Sequence, residues 1–428
     1  MTVKLVGIQF DMIGVNHNTA PVAVRELLAV SSQRLPEALG VLRSHLPHGV
    51  IISTCNRTEV YAANSSGHST RDGMLRFLEA WSDMPVANLS PYIYVNQNES
   101  AVAHLFKVAA GLDSMIVGEY EILGQVKQSL DQAEKAGLVD MPLQNLFRSA
   151  LKVGRRVREE TGISRNALSV SSVAVDLAAK TVGDLSRCSA ILIGTGEAGR
   201  LVAKALKERG VSRITVASRS MEKASSLAGA LGGGFIAMSR LHEELRACDI
   251  GISCTGAPHQ VIALHTVEEA IQSRPGRPLV LIDIAVPRDI DPEVARLENV
   301  FLYDIDALVH LSEANRQQRE AEVAAAAEII RDEVERFTSW HRSAEVRPLV
   351  TSLVNKAEEI RRRQLAVTLK RLRKLSPEEQ ESLDAMTRAI VQKILHDPIR
   401  YLKNNSHREE ACVSLVNKLF NLDRETPG

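Results

Sequence analysis

The sequence predicts a multidomain protein in three parts: an α+β N-terminal domain, a doubly wound α/β domain, and an all-α C-terminal domain entered through a long linking helix. Three observations predict it. Residues 1 to about 165 alternate short strand and helix signals, which stack as α+β layers. In the middle, the apolar run 190–193 leads straight into Gly194-Thr195-Gly196-Glu197-Ala198-Gly199 and an amphipathic helix, and strand-like runs recur as far as Tyr303. From Ser312 to Arg342 there is neither Gly nor Pro, and amphipathic helical patterns fill the rest of the chain. The expected boundaries are 1–165, 169–308 and 309–428.

In the first part, 12–15 reads as a strand and 22–28 as a helix behind Pro21. A second helix is expected over 35–46. Residues 50–63 read as a strand pair with a tight polar connection. A polar loop over 67–73 precedes an amphipathic helix, 74–81, and 92–95 reads as a short strand. Ser100 opens a helix whose apolar positions, Val102, Leu105, Phe106 and Ala109, follow the 3.6-residue period. The segment 147–158 carries Arg148, Lys152, Arg155, Arg156 and Arg158 on one apparent helix. It reads either as a solvated face or as a phosphate-contacting surface.

The second part is read as six parallel strands, with runs visible at 190–193, 213–217, 249–254, 279–285 and 300–303. Glycines at 194, 196 and 199, between a strand and a helix, let the main chain approach a pyrophosphate at the helix N-terminus, as in a Rossmann domain. Gly194, Thr195, Gly196, Glu197, Ala198 and Gly199 are therefore candidate cofactor-binding residues. After the next strand an NAD site wants an acid for the ribose 2′-hydroxyl. The chain has Ser218-Arg219-Ser220 instead. A cation and hydroxyls suit a 2′-phosphate, so NADPH is expected, bound in part by Ser218 and Arg219. Cys254 reads as packing, and 283–288 is expected to close the cleft.

In the third part, Val323, Ala327, Ile330, Val334 and Phe337 mark one side of the long helix, and Pro348 is read as starting another. Ser376-Pro377-Glu378-Glu379 is a capping box with Pro at the first helical position. The helix it opens carries Leu383, Met386, Ile390 and Ile394 on one face. A last helix, 407–421, carries Leu415, Val416, Leu419 and Phe420. Apolar stripes need covering, and a second copy of the chain is the simplest cover.

Composition limits the function. The 428 residues balance 52 Lys+Arg against 52 Asp+Glu, so overall charge gives no sign of nucleic-acid binding and any RNA contact must be local. The five cysteines, at 55, 188, 248, 254 and 412, have no CxxC or zinc spacing. Neither a disulfide framework nor a metal is expected. No apolar run is long enough to span a membrane, and the N-terminus lacks secretory or transit features, so the expected compartment is the cytoplasm.

The chemical centre is Ser53-Thr54-Cys55-Asn56-Arg57-Thr58-Glu59, in the connection of the strand pair. A thiol there, two residues from a guanidinium, reads as an activated nucleophile or as an inert buried cysteine. The run Thr-Cys-Asn-Arg-Thr-Glu resembles the signature of the glutamyl-tRNA reductase family. Three further segments in the same order resemble it too: 14–21 (GVNHNTAP), 104–106 (HLF) and 111–119 (GLDSMIVGE). The resemblance covers the chain to about residue 420.

It implies NADPH-dependent reduction of glutamyl-tRNA(Glu) to glutamate-1-semialdehyde, the first step of the five-carbon route to tetrapyrroles. Cys55 would be the nucleophile and carry a thioester. His104 would lie near it, polarising the carbonyl, protonating the leaving ribose oxygen or orienting the substrate. Thr54, Cys55, Asn56, Arg57, Ser114, Glu119, Tyr120, Glu121 and Gln125 would contact substrate, although many relatives have Pro-Gln where this chain has Tyr120-Glu121. Arg57 would pair with the glutamate carboxylate and lower the Cys55 pKa. The implied partners are glutamyl-tRNA(Glu), a second copy in a V-shaped homodimer and glutamate-1-semialdehyde aminomutase, without membrane or DNA. Two rival readings are an NADPH dehydrogenase of the shikimate-dehydrogenase kind, which has no need of Cys55, and a non-catalytic tRNA or nucleotide sensor.

Overall fold

The computed structural model describes residues 8–64, 70–164, 170–308, 320–372, 375–404, 415–416 and 418–421. The chain forms two units. The first comprises Phe10–Ala63 and Ser69–Arg331, and the second lies almost entirely beyond Asp332. The expected boundary at 165–169 falls outside the described residues.

The first unit begins with β1 (Gln9–Asn16), β2 (Val50–Ser53), β3 (Arg57–Asn64) and β4 (Tyr94–Gln97). They form one sheet in the order β2-β3-β1-β4, with β2 antiparallel to β3 and β1 antiparallel to β4. Every residue of β1 after Gln9 is buried, which requires cover on both faces of the sheet. Helices Leu35–His45 and Arg71–Ser82 supply one core, in which Leu39, Leu42, Met74 and Phe77 meet Ile13, Val15, Ile51 and Val60. Fully burying such a side chain stabilises by about 1.5–3 kcal/mol. Elsewhere Phe147, on helix Met141–Glu160, meets Tyr61 of β3 edge-on, with ring centroids 5.4 Å apart. Asp140 caps that helix by accepting from the Leu143 N–H at 3.0 Å.

Three boundaries differ from the expectations. The helix expected from Met74 begins at Arg71, so Gly73 lies inside it. A Cβ on Gly73 would sit 2.7 Å from the His45 carbonyl oxygen, so packing against the neighbouring helix requires glycine there. The strand expected at 92–95 is Tyr94–Gln97, because Ser90–Tyr92 closes a 3-10 turn. The helix expected from Ser100 is Glu99–Ala110.

The second sheet holds β5 (Ser189–Ile193), β6 (Arg213–Ser218), β7 (Gly234–Ala237), β8 (Ile250–Ser253), β9 (Leu279–Asp283) and β10 (Val300–Asp304). All neighbours are parallel, in the order β7-β6-β5-β8-β9-β10. Renumbered within the domain this is 3-2-1-4-5-6, the order of a dinucleotide-binding sheet. Side chains of β5 alternate between its two cores. Ala190 and Leu192 join Val173, Leu177, Val202 and Leu206, while Ile191 and Ile193 join Leu241, Leu245, Val267 and Ala270. The sequence reading located five of the six strands. The sixth, β7, is a short edge strand with no buried residue, so it carries no core pattern.

Helix Glu320–Arg371 carries the chain from the first unit into the second and runs through Pro348, which therefore starts no new helix. Of the side expected from the sequence, Ile330, Val334 and Phe337 are buried, Val323 is half-buried and Ala327 is exposed, while the neighbouring Ala326 is buried. The expected start at Ser312 lies outside the described residues. In the second unit the capping box is made in both directions. The Ser376 N–H donates to Glu379 Oε2 at 2.8 Å and the Glu379 N–H to Ser376 Oγ at 3.2 Å. It opens helix Pro377–Asn404, which Arg361 pins to the preceding helix by donating to Asp384 Oδ1 at 2.5 Å. Between these helices lies an apolar groove of about 680 Å³, lined by Leu353, Ile360, Met386, Ile390, Ile394 and Leu419. Met386, Ile390, Ile394, Leu415, Leu419 and Phe420 are exposed. Most of the expected last helix lies outside the described residues.

Candidate active site and cofactor loop

The connection between β2 and β3 is a tight turn held by its own polar atoms. The Thr54 N–H donates to the Arg57 carbonyl at 2.8 Å, and the Asn56 N–H donates to Thr54 Oγ1 at 3.1 Å. The Asn56 carbonyl accepts from the His17 N–H at 3.0 Å, which lays the 14–21 segment alongside. Cys55 is half-buried at the tip, against Val22, Met115, Val286 and Ile305. Val286 and Ile305 belong to the second sheet's domain, so the thiol faces the cleft between the two domains. Burial, then the Glu119 and Glu121 carboxylates, push the thiol up to about 12 against the opposing pull of Arg25. At neutral pH the resting group is therefore a thiol.

Arg25, and not Arg57, is the cation acting on that thiol, which corrects the sequence expectation. Arg57 points the other way along β3, where alternate side chains share a face. It is almost fully buried. Nη1 donates to Glu59 Oε1 and to Asp113 Oδ2, each at 2.7 Å, and Nη2 donates to the Asp113 carbonyl. Glu59 is fully buried and accepts from four groups: Arg57, Tyr61 OH at 2.7 Å, Tyr94 OH at 2.5 Å and His104 Nε2 at 3.0 Å. Burial alone would raise its carboxyl. Arg57, His104 and the tyrosine hydrogen bond instead hold it well below the usual carboxylate range. His104 is thus anchored to the same cluster as Arg57. Glu59, His104 and Asp113 stand close enough to share a cation, and Arg57 Nη1 already lies between the two carboxylates as that cation.

Next to the turn, His17 Nδ1 and Asn56 Oδ1 are buried with no hydrogen-bond partner among the described residues. Burial, then Arg57, lower His17 to about 4, so its ring is neutral at physiological pH. Ser114 is buried beside the Glu119 carboxyl, which burial raises and Ser114, Arg57 and Arg158 pull back down. Gly118 has φ +85°, and a Cβ there would lie 2.1 Å from the Ile163 carbonyl oxygen, so this bend needs glycine. Tyr120 is 65% exposed. Glu121 opens helix Glu121–Lys135 and is half-buried, with Gln125 one turn further on. Burial, then Glu119 and then Glu197, raise the Glu121 carboxyl to about 7.

Glu197 opens the helix that follows the glycine loop after β5. There a Cβ on Gly199 would meet the Gly194 carbonyl oxygen at 2.5 Å, so the helix Glu197–Glu208 can approach the strand only through glycine. A Cβ on Gly196 would meet nothing within 4 Å, which leaves open space over the helix N-terminus. That cradle fits a dinucleotide pyrophosphate. Ala198 packs into the core below, and Cys254 donates to the Ile193 carbonyl at 3.3 Å, a packing role. Thr195 Oγ1 lies 3.3 Å from Ser218 Oγ at the end of β6. The adjoining Arg219 is exposed at the rim. The 283–288 segment borders the cleft, as expected: Arg288 grips Glu26 through its N–H at 3.2 Å, Nε at 3.1 Å and Nη2 at 2.6 Å.

The basic helix divides. Arg148, Lys152 and Arg155 are exposed at a 4-then-3 spacing, on one face. Arg156 is paired with Glu160 at 2.7 Å. Arg158 turns inward, donating to the Glu119 carbonyl at 2.9 Å, and so leaves the expected basic run. Sequence reasoning missed Arg25, Glu59, Asp113 and His17 as site residues. Three of them lay inside quoted motifs, and the i, i+2 spacing of Arg57 and Glu59 on a strand was a usable signal.

Three family models match the chain: Glutamyl-tRNAGlu reductase, N-terminal domain, over 13–161; Shikimate / quinate 5-dehydrogenase over 176–311; and Glutamyl-tRNAGlu reductase, dimerisation domain, over 325–422. A glutamyl-tRNA reductase of Natranaerobius thermophilus is 40% identical over 420 residues, 97% of this chain and 92% of that protein. One from Carboxydothermus hydrogenoformans is 41% identical over 418 residues, covering 97% and 93%. The solved glutamyl-tRNA reductase of Methanopyrus kandleri is 32% identical, with 95% of this chain and 99% of that one covered, at a TM-score of 0.46. Identity at this level, carried across both the thiol-bearing and the helical parts, shows that the chain belongs to the glutamyl-tRNA reductase family.

Proposed function

We propose that this chain reduces glutamyl-tRNA(Glu) with NADPH to glutamate-1-semialdehyde and releases the tRNA, through a thioester on Cys55. It thereby opens the five-carbon route to tetrapyrroles. The observation that carries the reading is Cys55 at the tip of the β2–β3 turn, facing the domain that holds the dinucleotide cradle. A free carboxylate resists reduction, and the ester to tRNA supplies the activation. The Cys55 thiolate attacks the ester carbonyl, and the ribose oxygen leaves with a proton. One hard step becomes two easier ones. Residues 194–199 would hold NADPH, with Ser218 and Arg219 for its 2′-phosphate, and it would supply the hydride that, with one proton, converts the thioester into aldehyde and free thiol.

Thr54, Asn56, Ser114, Glu119, Glu121 and Gln125 surround the glutamyl group in this reading. Tyr120, being exposed, reaches only its outer edge. Arg57 binds the side-chain carboxylate if that group takes the place of Asp113, the more exposed of its two partners. His104, fixed by Glu59, is oriented toward either the carbonyl or the leaving oxygen. A cytoplasmic homodimer joined through the exposed apolar face beyond residue 350 completes the proposal, and light scattering on a chain cut after Asp306 tests it by reporting monomer. The product is a reactive amino-aldehyde, so direct transfer to glutamate-1-semialdehyde aminomutase is proposed as well. Co-sedimentation of the two proteins tests it, and separate boundaries would count against it.

Labelled glutamyl-tRNA with NADPH should yield semialdehyde, and free glutamate should not. Cys55→Ser should lower the rate by more than about a hundredfold while NADPH binding, read by fluorescence, is unchanged. A Ser variant that keeps a larger share of the rate contradicts covalent catalysis.

A further inference from the structure

One guanidinium joins the thiol turn to the nucleotide domain. Arg25 is buried on helix Val22–Leu28. Its Nη1 donates to the Cys55 carbonyl at 2.8 Å, its Nε to the Ala20 carbonyl at 3.2 Å, and its Nη2 to Asp306 Oδ1. Asp306 lies just beyond β10, and its other oxygen accepts from the Val22 N–H at 3.3 Å. The next residue of the helix, Glu26, takes the forked grip of Arg288. One helical turn therefore holds the thiol loop on one side and the nucleotide domain on the other.

The charged groups acting on Cys55 are Arg25, Glu119 and Glu121, and its apolar neighbours are Val22, Met115, Val286 and Ile305. Arg25 is the cation of that set. An ion pair in direct contact cancels most of the field that either partner exerts a few ångströms away. With Asp306 seated, the pull of the paired guanidinium on the sulfur is outweighed by burial and by the Glu119 and Glu121 carboxylates. With Asp306 gone, a buried cation remains beside it.

We propose that Arg25 is a positioning residue that couples the charge state of Cys55 to docking of the nucleotide domain: Asp306 on the guanidinium favours the thiol, and its departure favours the thiolate. The thiol proton passes to water in the undocked state. The proposal rests on the reading of Cys55 as nucleophile, and it orders the reaction. The undocked enzyme is the one armed for attack on the ester. Docking then brings the hydride donor to a sulfur already acylated.

The test is the pH dependence of iodoacetamide alkylation at Cys55, followed by peptide mass in the full-length protein without tRNA or NADPH. Asp306→Asn should move the midpoint downward and raise the rate at pH 7.5 by about tenfold. Arg25→Gln should move it upward, Arg25→Lys should restore it, and Arg25→Gln with Asp306→Asn should not show the downward move. Simple loosening of the fold would raise the limiting rate at high pH and leave the midpoint in place. An unchanged midpoint in Asp306→Asn overturns the proposal, and so does a downward move that persists without Arg25. If Arg25→Gln does not fold, Asp306→Asn and Arg25→Lys decide alone. Failure of the nucleophile reading shows separately, as semialdehyde production retained by Cys55→Ser.

Discussion

The two sides of the cleft are built differently, and in the proposed reading they meet their ligands by different means. On the thiol side, Arg57, Glu59, Asp113, His104 and Tyr94 form a buried cluster in which each charge depends on a named neighbour. On the nucleotide side the cradle is main chain, with open space at Gly196 over a helix end and the exposed Arg219 at the rim. The first design is stiff and fragile, because removing one partner strands a buried charge. The second tolerates change, because a rim contact adds selectivity without supporting the fold.

The sharpest way to break the contrast is Glu59→Gln. It keeps shape but leaves Arg57 short of a charge and removes the anchor of His104. Breaking a buried pair costs about 3–5 kcal/mol, so thermal unfolding should show a large drop in Tm together with loss of turnover. A small change in both would mean that the cluster is looser than its hydrogen bonds imply. On the other side, Arg219→Ala should leave Tm unchanged and narrow the NADPH-over-NADH preference in kcat/KM by about 10- to 100-fold, as for a charge-assisted contact of about 1.5–3 kcal/mol. Equal use of both cofactors by the unmodified protein would sink this half of the comparison.

The smallest effect is expected where the two sides meet. Glu121 has a folded pKa of about 7, above its unfolded value of 4.5. A carboxyl raised in this way opposes folding above pH 4.5, increasingly so up to about 7. Glu121→Gln should therefore equal the unmodified protein in Tm near pH 4.5 and exceed it at pH 8. A gap that does not grow with pH would show that Glu121 is not buried beside Glu119 and Glu197 as the structure has it.

Much of this was legible in the sequence, and the reasons differ by region. The run from Ala190 through Gly199 to Ala217 declared a strand, a glycine turn, a helix and a second strand, a pattern with few other physical outcomes. The helix Val22–Leu28 followed from Pro21, and the strand pair around Cys55 from its apolar runs. Strand β7 was missed because an edge strand needs no buried face. Gly73 and Pro348 misled because a residue that breaks helices in isolation is tolerated where packing or length outweighs it. In the candidate site, Cys55, His104 and the glycines were singled out through motifs. Arg25 was not, since nothing local marks it. Its partners come from residues 20, 55 and 306, which only the fold brings together. The pairing of Arg57 with Cys55 was wrong for a related reason. Nearness in sequence suggested contact, whereas Cys55 lies in the turn outside β3 and Arg57, within it, shares a face with Glu59.

The central claim is that acyl transfer to Cys55 precedes hydride transfer and is separable from it. Rapid quench of labelled glutamyl-tRNA mixed with enzyme in the absence of NADPH tests it most directly. The account predicts free tRNA and a labelled, base-labile thioester on the Cys55 peptide, decaying slowly to free glutamate. No release of tRNA until NADPH is added would contradict it.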